Sequence, residues 1–326
     1  MTTGQAFIGK IKEFTTIEKA DNLITATAVI GEHGIWRGVV KKGEFEVRGR
    51  CVVILQDSIL PDKPEYEFMR RMNFRVKMCR FRGAPSECLI LPCELAGDIG
   101  DDVSEILGVT KYEKPVHVSL GGQVRGNFPT HLIPKTDEPN FQSVPGMIEI
   151  LKEKAYYATI KVDGSSATFL RCQERFHVCS RNLDLAEGEG NVLWSLAKKY
   201  KLEEKIPIGF GIQAEVFGPK IQGNPLGSAS ADLRVFNLYS ITEHKYLGLE
   251  ALHDFCLQHD LPMVPISRQG ILPSEITSDI LQLWADIKYP NGSAAEGIVV
   301  RPIEEMTTPQ GNRLSFKVIN LNYKER

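Results

Sequence analysis

The sequence predicts a small closed β-barrel followed by a larger α+β domain. Three observations carry this. Short runs rich in β-branched residues, separated by turns, fill the first 110 positions. Proline and glycine then crowd into 111–145, and beyond that strand-like and helix-like runs alternate to the end. At 326 residues the chain is long enough for two domains with separate cores.

In the first part the strand-like runs are 7–11, 23–30, 35–40, 51–55, 74–79 and 88–91, with Gly31-Glu32-His33-Gly34 and Lys42-Gly43 as turn signals. So many short strands in so few residues suit a closed barrel, of which the OB-fold is a common form. A short helix is expected over 101–107, stopped by Gly108. The stretch 70–82 holds Arg70, Arg71, Arg75, Lys77, Arg80 and Arg82, interleaved with Phe74 and Phe81 and preceded by Phe68. Basic groups can track a phosphate backbone while aromatics stack on bases. The same pattern also fits a strand with a solvated charged face over core phenylalanines.

Pro115, Pro129, Pro134, Pro139 and Pro145, with Gly121, Gly122 and Gly126, mark 111–145 as a linker or irregular lead-in. The second domain, 146–326, opens on a helix that Pro145 could start and that runs to 154. Strands are expected at 156–162, 166–172, 176–180, 210–217, 233–241, 296–302 and 313–319. Helices are expected at 191–200 and 273–288, and Leu249, Leu252, Phe255 and Cys256 form a helical apolar stripe.

The formal net charge of −2 excludes a globally basic nucleic-acid binder, so such binding would need a local basic surface. Seven cysteines without a two-residue spacing argue for free thiols and against zinc. No apolar run reaches membrane-spanning length, so the expectation is a soluble intracellular protein, cytoplasmic or nuclear, with no membrane partner.

The chemistry centres on Lys161-Val162-Asp163-Gly164, between two apolar strands. A lysine is nucleophilic only when deprotonated, and at neutral pH only about one in a few thousand is. Further along, Glu215 and Glu296 lie in apolar strands, and so does Lys317. A charge in such a strand is costly to bury unless paired or metal-linked. Each of them singly also fits a solvent-facing position.

The ordered set is more specific. Lys161-x-Asp163-Gly164, Ser180-Arg181-Asn182, Glu215 with Phe217-Gly218, Phe236, Glu296-Gly297 with Arg301, then Lys317 resembles the covalent nucleotidyltransferase superfamily of polynucleotide ligases and capping enzymes. The barrel-first order, with Lys19-Ala20-Asp21-Asn22-Leu23, Val39-Val40-Lys41-Lys42-Gly43-Glu44-Phe45 and Arg80-Phe81-Arg82-Gly83, is similar to ATP-dependent RNA ligases with an N-terminal OB domain, the Deinococcus and Naegleria type.

The resemblance implies a nucleotidyltransferase fold over 146–326 behind an OB-like domain at 1–110. It implies that Lys161 attacks the α-phosphorus of ATP, keeps AMP, and passes it to an RNA 5′-phosphate that a 3′-OH then seals. Asp163, Glu215 and Glu296 match carboxylates around Mg²⁺ or Mn²⁺. Phe236 and Val299 match the adenine sandwich, and Ile160 a backbone contact to the base. Arg181 matches the ribose and acceptor-phosphate side, and Lys317 the α-phosphate. Arg71, Arg75, Lys77, Arg80 and Arg82 are candidates for nucleic-acid contact. The implied partner is RNA, as a nicked duplex, met by a monomer. Two positions depart from the pattern: Ser315 and Asn140 stand where relatives carry basic residues. A GTP-using capping-type guanylyltransferase and a non-catalytic nucleic-acid-binding relative are the alternatives.

Overall fold

The structure is a computed structural model and describes residues 4–112 and 123–324. The chain divides into two compact units. Of the described residues, 4–112 with Gln142–Pro145 form the first, and 123–141 with 146–324 form the second.

The first unit is built on a five-stranded antiparallel sheet in the order Ile35–Lys41, Leu23–Val29, Ala6–Thr16, Arg50–Leu55, Cys88–Pro92. Ala6–Thr16 is long enough to pair on both sides, and its register shifts between Ile11 and Glu13. Such a bulge bends a strand and increases its twist, which curls the sheet. The two edges then meet. Glu87 N–H donates to the Arg37 carbonyl at 2.8 Å, and Val39 N–H donates to Ser86 Oγ at 2.9 Å. Trp36, Phe7, Ile11 and Val53 pack on one side of the sheet, and Ile8, Ile54, Leu60 and Met69 on the other. Burial on both faces explains why these strands read as continuous apolar runs.

The stretch expected to give a strand over 74–79 folds differently. Pro64–Met72 is a 3₁₀ segment ended by two residues in left-handed conformation, Asn73 and Phe74. Only Arg75–Val76 pairs with Ser58–Ile59, and Cys79–Phe81 makes a separate hairpin with Ala84–Ser86. The expected terminal helix is Ser104–Leu107, closed by Gly108.

The second unit stacks most of its strands into two antiparallel sheets. The larger has the order Val124–Asn127, Leu183–Leu185, Phe176–Cys179, Ser165–Arg171, Phe210–Phe217, Asp232–Ser240, Lys245–Tyr246. The smaller has the order Ile266–Ile271, Ala155–Lys161, Gly297–Pro302, Phe316–Ile319. The stretch 123–141 gives the larger sheet an edge strand, and Phe128 and Ile133 are buried. Pro115, Gly121 and Gly122 lie outside the described residues.

One face of the larger sheet buries Phe169, Val178, Ile212 and Val235 against helices Val192–Lys199 and Leu249–Gln258. Asn191 caps the first of these, its side chain accepting from Leu193 N–H at 2.9 Å and Trp194 N–H at 3.2 Å. The helix expected at 273–288 is shorter, Ser278–Ala285, because Thr277 caps it and holds its start. The helix from Pro145 stops at Leu151, and Glu153 turns the chain at positive φ. Among the described residues no helix is long and apolar enough to cross a membrane.

Candidate active site

Lys161 ends a central strand of the smaller sheet, and Ser165 begins a central strand of the larger one. The turn Val162-Asp163-Gly164 therefore carries the chain from one sheet to the other. Gly164 is required by close approach: a Cβ there would lie 2.2 Å from the Val216 carbonyl oxygen, and the Glu215 side chain is beside it. Gly297 faces the same constraint opposite Lys161. Its φ is +145°, and a Cβ would lie 2.0 Å from the Val318 carbonyl oxygen. Gly164 lets the strand bearing Glu215 close on the lysine turn, and Gly297 lets the strand that follows Glu296 close on Phe316–Ile319.

Lys161 Nζ donates to Glu296 Oε2 at 2.6 Å, and both side chains are largely buried, 23% and 14% exposed. Burial favours the neutral amine. Glu296, Glu215 and Asp163 together outweigh it and hold the ammonium above the ordinary lysine range. In this arrangement the amine is a cation and not a nucleophile.

The backbone around it is fixed by a residue that the sequence did not single out. Tyr289, 4% exposed, accepts from Asp163 N–H at 2.9 Å and Glu296 N–H at 3.3 Å, and donates to the Lys161 carbonyl at 2.9 Å. A hydroxyl has one proton and two lone pairs, so all its capacity is used. Tyr323 donates to Asp163 Oδ2, which is buried. No sequence signal marked either tyrosine, because their role lies in one oxygen atom placed by distant folding. Tyr289→Phe leaves two N–H groups and a carbonyl without this partner. We expect stability to fall by about 2 kcal/mol in denaturant titration and covalent labelling of Lys161 to slow about tenfold. Unchanged labelling would show that the clamp does not position the site.

Val299 and Lys317 are cross-strand partners in the smaller sheet, and Thr159 lies opposite Val299 on the other side. Phe236 sits in the larger sheet, where the register shifts between Gln213 and Ala214, half-buried beside Val162, Phe217 and Val264. The Ile160 N–H is committed to the Pro265 carbonyl at 2.9 Å. Arg181 pairs with Asp137 at 2.9 Å, and Lys135 donates to Asn182 Oδ1 at 2.7 Å.

One of the two departures, Ser315, has a structural explanation. The register that pairs Val299 with Lys317 sets Arg301 against Ser315. Arg301, 2% exposed, donates from Nε to Ser315 Oγ at 3.0 Å, and from its other nitrogens to Glu138 Oε1 at 2.7 Å and the Phe236 carbonyl at 3.4 Å. A lysine in place of Ser315 would set a second cation against a buried guanidinium. Asn140 bridges Lys317 in parallel, and Lys317 N–H donates to the Pro139 carbonyl at 2.8 Å. The Asp-Glu-Pro turn is thus strapped to the last strand.

In the first unit, Arg75 is held within the fold. Its side chain is 13% exposed, pairs with Asp57 at 2.7 Å, and lies 3.6 Å over the Tyr112 ring. Arg71, Arg80 and Arg82 are exposed, with Phe68 and Phe81 also exposed, while Lys77 is half-buried. Arg80 donates to the Gly83 carbonyl at 2.7 Å.

A nearly closed five-stranded barrel, then a two-sheet domain with a lysine between three carboxylates, places the protein among the polynucleotide ligases of nucleotidyltransferase type. The RNA ligase family model matches residues 154–319, and a model described as an OB-fold domain matches residues 5–93. The structure is similar to that of Naegleria gruberi RNA ligase with PPi, with a TM-score of 0.83 and 31% identity over 98% of this chain and 97% of that one. It is similar to a lysine-to-alanine mutant of that ligase with ATP and Mn, with a TM-score of 0.85 and 30% identity over 99% and 100% of the two chains. A glutamate-to-alanine mutant with AMP and Mn gives 0.85 and 31% over 99% and 100%. No curated protein matches the chain. The chain belongs to the RNA ligase family.

Proposed function

We propose that this protein is an ATP-dependent RNA ligase that joins 3′-OH and 5′-phosphate ends, or seals nicks, through a lysyl-AMP intermediate on Lys161. The observation that carries this is Lys161 itself, at the junction of two sheets and 2.6 Å from Glu296. Its amine attacks the α-phosphorus of ATP. A phosphoramidate forms and pyrophosphate leaves. AMP then passes to the RNA 5′-phosphate, and the 3′-OH displaces it. Phe236 and Val299 hold the adenine. Arg181 serves the ribose and acceptor-phosphate side, and Lys317 the α-phosphate.

Asp163, Glu215 and Glu296 supply oxygen donors, which suit Mg²⁺ or Mn²⁺. These three carboxylates would hold such an ion in part through its waters. When bound, such an ion offsets the carboxylates that keep Lys161 protonated and neutralises charge on the α-phosphate. Residues 1–110 act as the OB-like domain, and Arg71, Arg80 and Arg82 with Phe81 are its exposed RNA-contact candidates.

The test is sealing of nicked duplexes with RNA or DNA on each side of the break, alongside competition of ATP against GTP for covalent labelling. Failure to seal any RNA-containing nick, or preference for GTP, would overturn the proposal. Asn140 adds one prediction. An arginine there would stand beside Lys317 and could hold the β- or γ-phosphate. Asn140→Arg should speed enzyme adenylylation about tenfold, the worth of one charge-assisted hydrogen bond. An unaltered rate would exclude that role for the position.

A further inference from the structure

The first unit carries a row of cations that the site at Lys161 does not use. Lys10 and Arg50 are direct cross-strand partners in the ladder between Ala6–Thr16 and Arg50–Leu55, and both are exposed. Directly opposed residues share a face of a sheet, and like charges in that position are destabilising. Further cations adjoin the pair. Lys12 is exposed and is the extra residue of the bulge between Ile11 and Glu13. Arg48 is exposed, and its N–H donates to the Ile11 carbonyl at 2.8 Å, which sets it beside Lys12 along the ladder. Its φ is +68°, a left-handed backbone that favours glycine over arginine.

Among the described residues, Lys10, Lys12, Arg48 and Arg50 form no ion pair, and neither does Glu13, the acidic neighbour of Lys12. Arg50 donates to the Leu95 carbonyl at 3.0 Å, which orients the guanidinium but leaves its charge uncompensated. Other arginines of the same unit are neutralised: Arg37 meets Glu87 at 3.1 Å, Arg70 meets Asp62 at 2.8 Å and Arg75 meets Asp57 at 2.7 Å. The chain as a whole has a net charge of −2, so the row is a local excess.

We propose that Lys10, Lys12, Arg48 and Arg50 form a docking surface for the sugar-phosphate backbone of the RNA substrate. The proposal rests on the RNA ligase reading above, which supplies the polyanion. Phosphates placed along the row relieve the repulsion between its cations and release their own counterions. Each arginine can offer paired N–H groups to one phosphate, and each lysine acts as a point charge. No aromatic side chain is among the four, so the surface grips the backbone without reading sequence. It is separate from Arg71, Arg80 and Arg82, which lie on the 3₁₀ segment Pro64–Met72 and the hairpin Cys79–Ser86. Stability alone would favour a carboxylate opposite Arg50 and a glycine at position 48. The sequence has neither, which is the mark of a surface kept for a partner.

The test is fluorescence anisotropy of a labelled nicked RNA duplex across about 50–200 mM KCl, beside ATP labelling of Lys161 and denaturant titration. Each phosphate contact contributes roughly 0.7–0.9 to the slope of log affinity against log salt. Replacing all four residues by glutamine should lower that slope by about three and leave ATP labelling within about twofold of wild type. Lys10→Glu gives Arg50 an opposite charge, and Arg48→Gly relieves the left-handed backbone. Each alone should raise the denaturation midpoint while weakening RNA binding, a pair of changes that lost stability does not mimic. An unchanged slope in the glutamine variant would mark the row as a solvated face and overturn the proposal. Full RNA affinity in both single variants would overturn it too. A wild-type protein that binds RNA through this row but takes no label from ATP would sink the ligase reading and leave the surface standing.

Discussion

Replacing Lys161 by alanine should abolish covalent labelling with α-labelled ATP and with it all sealing of 5′-phosphate ends. The loss should be complete, because in the proposed reaction the amine is the atom that forms the new bond. Alanine alone would leave an ambiguity, since it also strips Glu296 of its 2.6 Å partner and leaves three carboxylates together. Lys161→Arg separates the two effects. A guanidinium keeps a positive charge against Glu296, but it stays protonated at any accessible pH and cannot attack phosphorus. Both variants should be silent in labelling, while arginine retains more of the wild-type stability. Labelling that persists in either would exclude Lys161 as the nucleophile. RNA that already carries a 5′-adenylate bypasses the lysine step. Sealing of that substrate by Lys161→Arg would place the defect in the lysine chemistry and not in RNA binding.

How much of this was legible beforehand differs between fold and site. Strand and helix positions in the second domain followed from apolar periodicity, as at Phe210–Phe217, where expectation and structure coincide. The segment 70–82 did not, because Asn73 and Phe74 both adopt left-handed backbone, and that reversal overrides strand propensity. The charged residues in the strands were visible as anomalies. Their partners were not: Arg301 meets Glu138 across 163 positions, and Tyr323 meets Asp163 across 160. Periodicity reports which face a residue shares, but it carries no information about a partner that distant. Ser315 shows the consequence. Read along the chain it is a missing lysine. Read across the register it is the hydroxyl that accepts from the Arg301 guanidinium.

That buried pair gives the second large effect. Burial raises the Glu138 carboxyl, but Arg301, Arg313 and the Ser315 hydroxyl outweigh it and bring it down to about 2. A carboxylate depressed in the folded state stabilises above its unfolded pKa and loses that contribution as pH falls through its folded one. Here the contribution should be full above about pH 4.5 and vanish toward about pH 2, on the order of 3 kcal/mol. Arg301→Leu leaves Glu138 buried with the Ser315 hydroxyl and one cation, Arg313, 4.0 Å away, and should cost about 3–5 kcal/mol in denaturant titration at pH 7. Glu138→Gln should flatten the acid limb of the stability curve between pH 4.5 and 2, and an unchanged limb would remove Glu138 as its cause. The damage should also reach catalysis. Glu138 lies between Asp137, which pairs with Arg181, and Pro139, whose carbonyl accepts from Lys317 N–H. Arg301 also donates to the Phe236 carbonyl, so one guanidinium ties the turn beside Arg181 and Lys317 to the strand that carries Phe236, the aromatic proposed to hold the adenine.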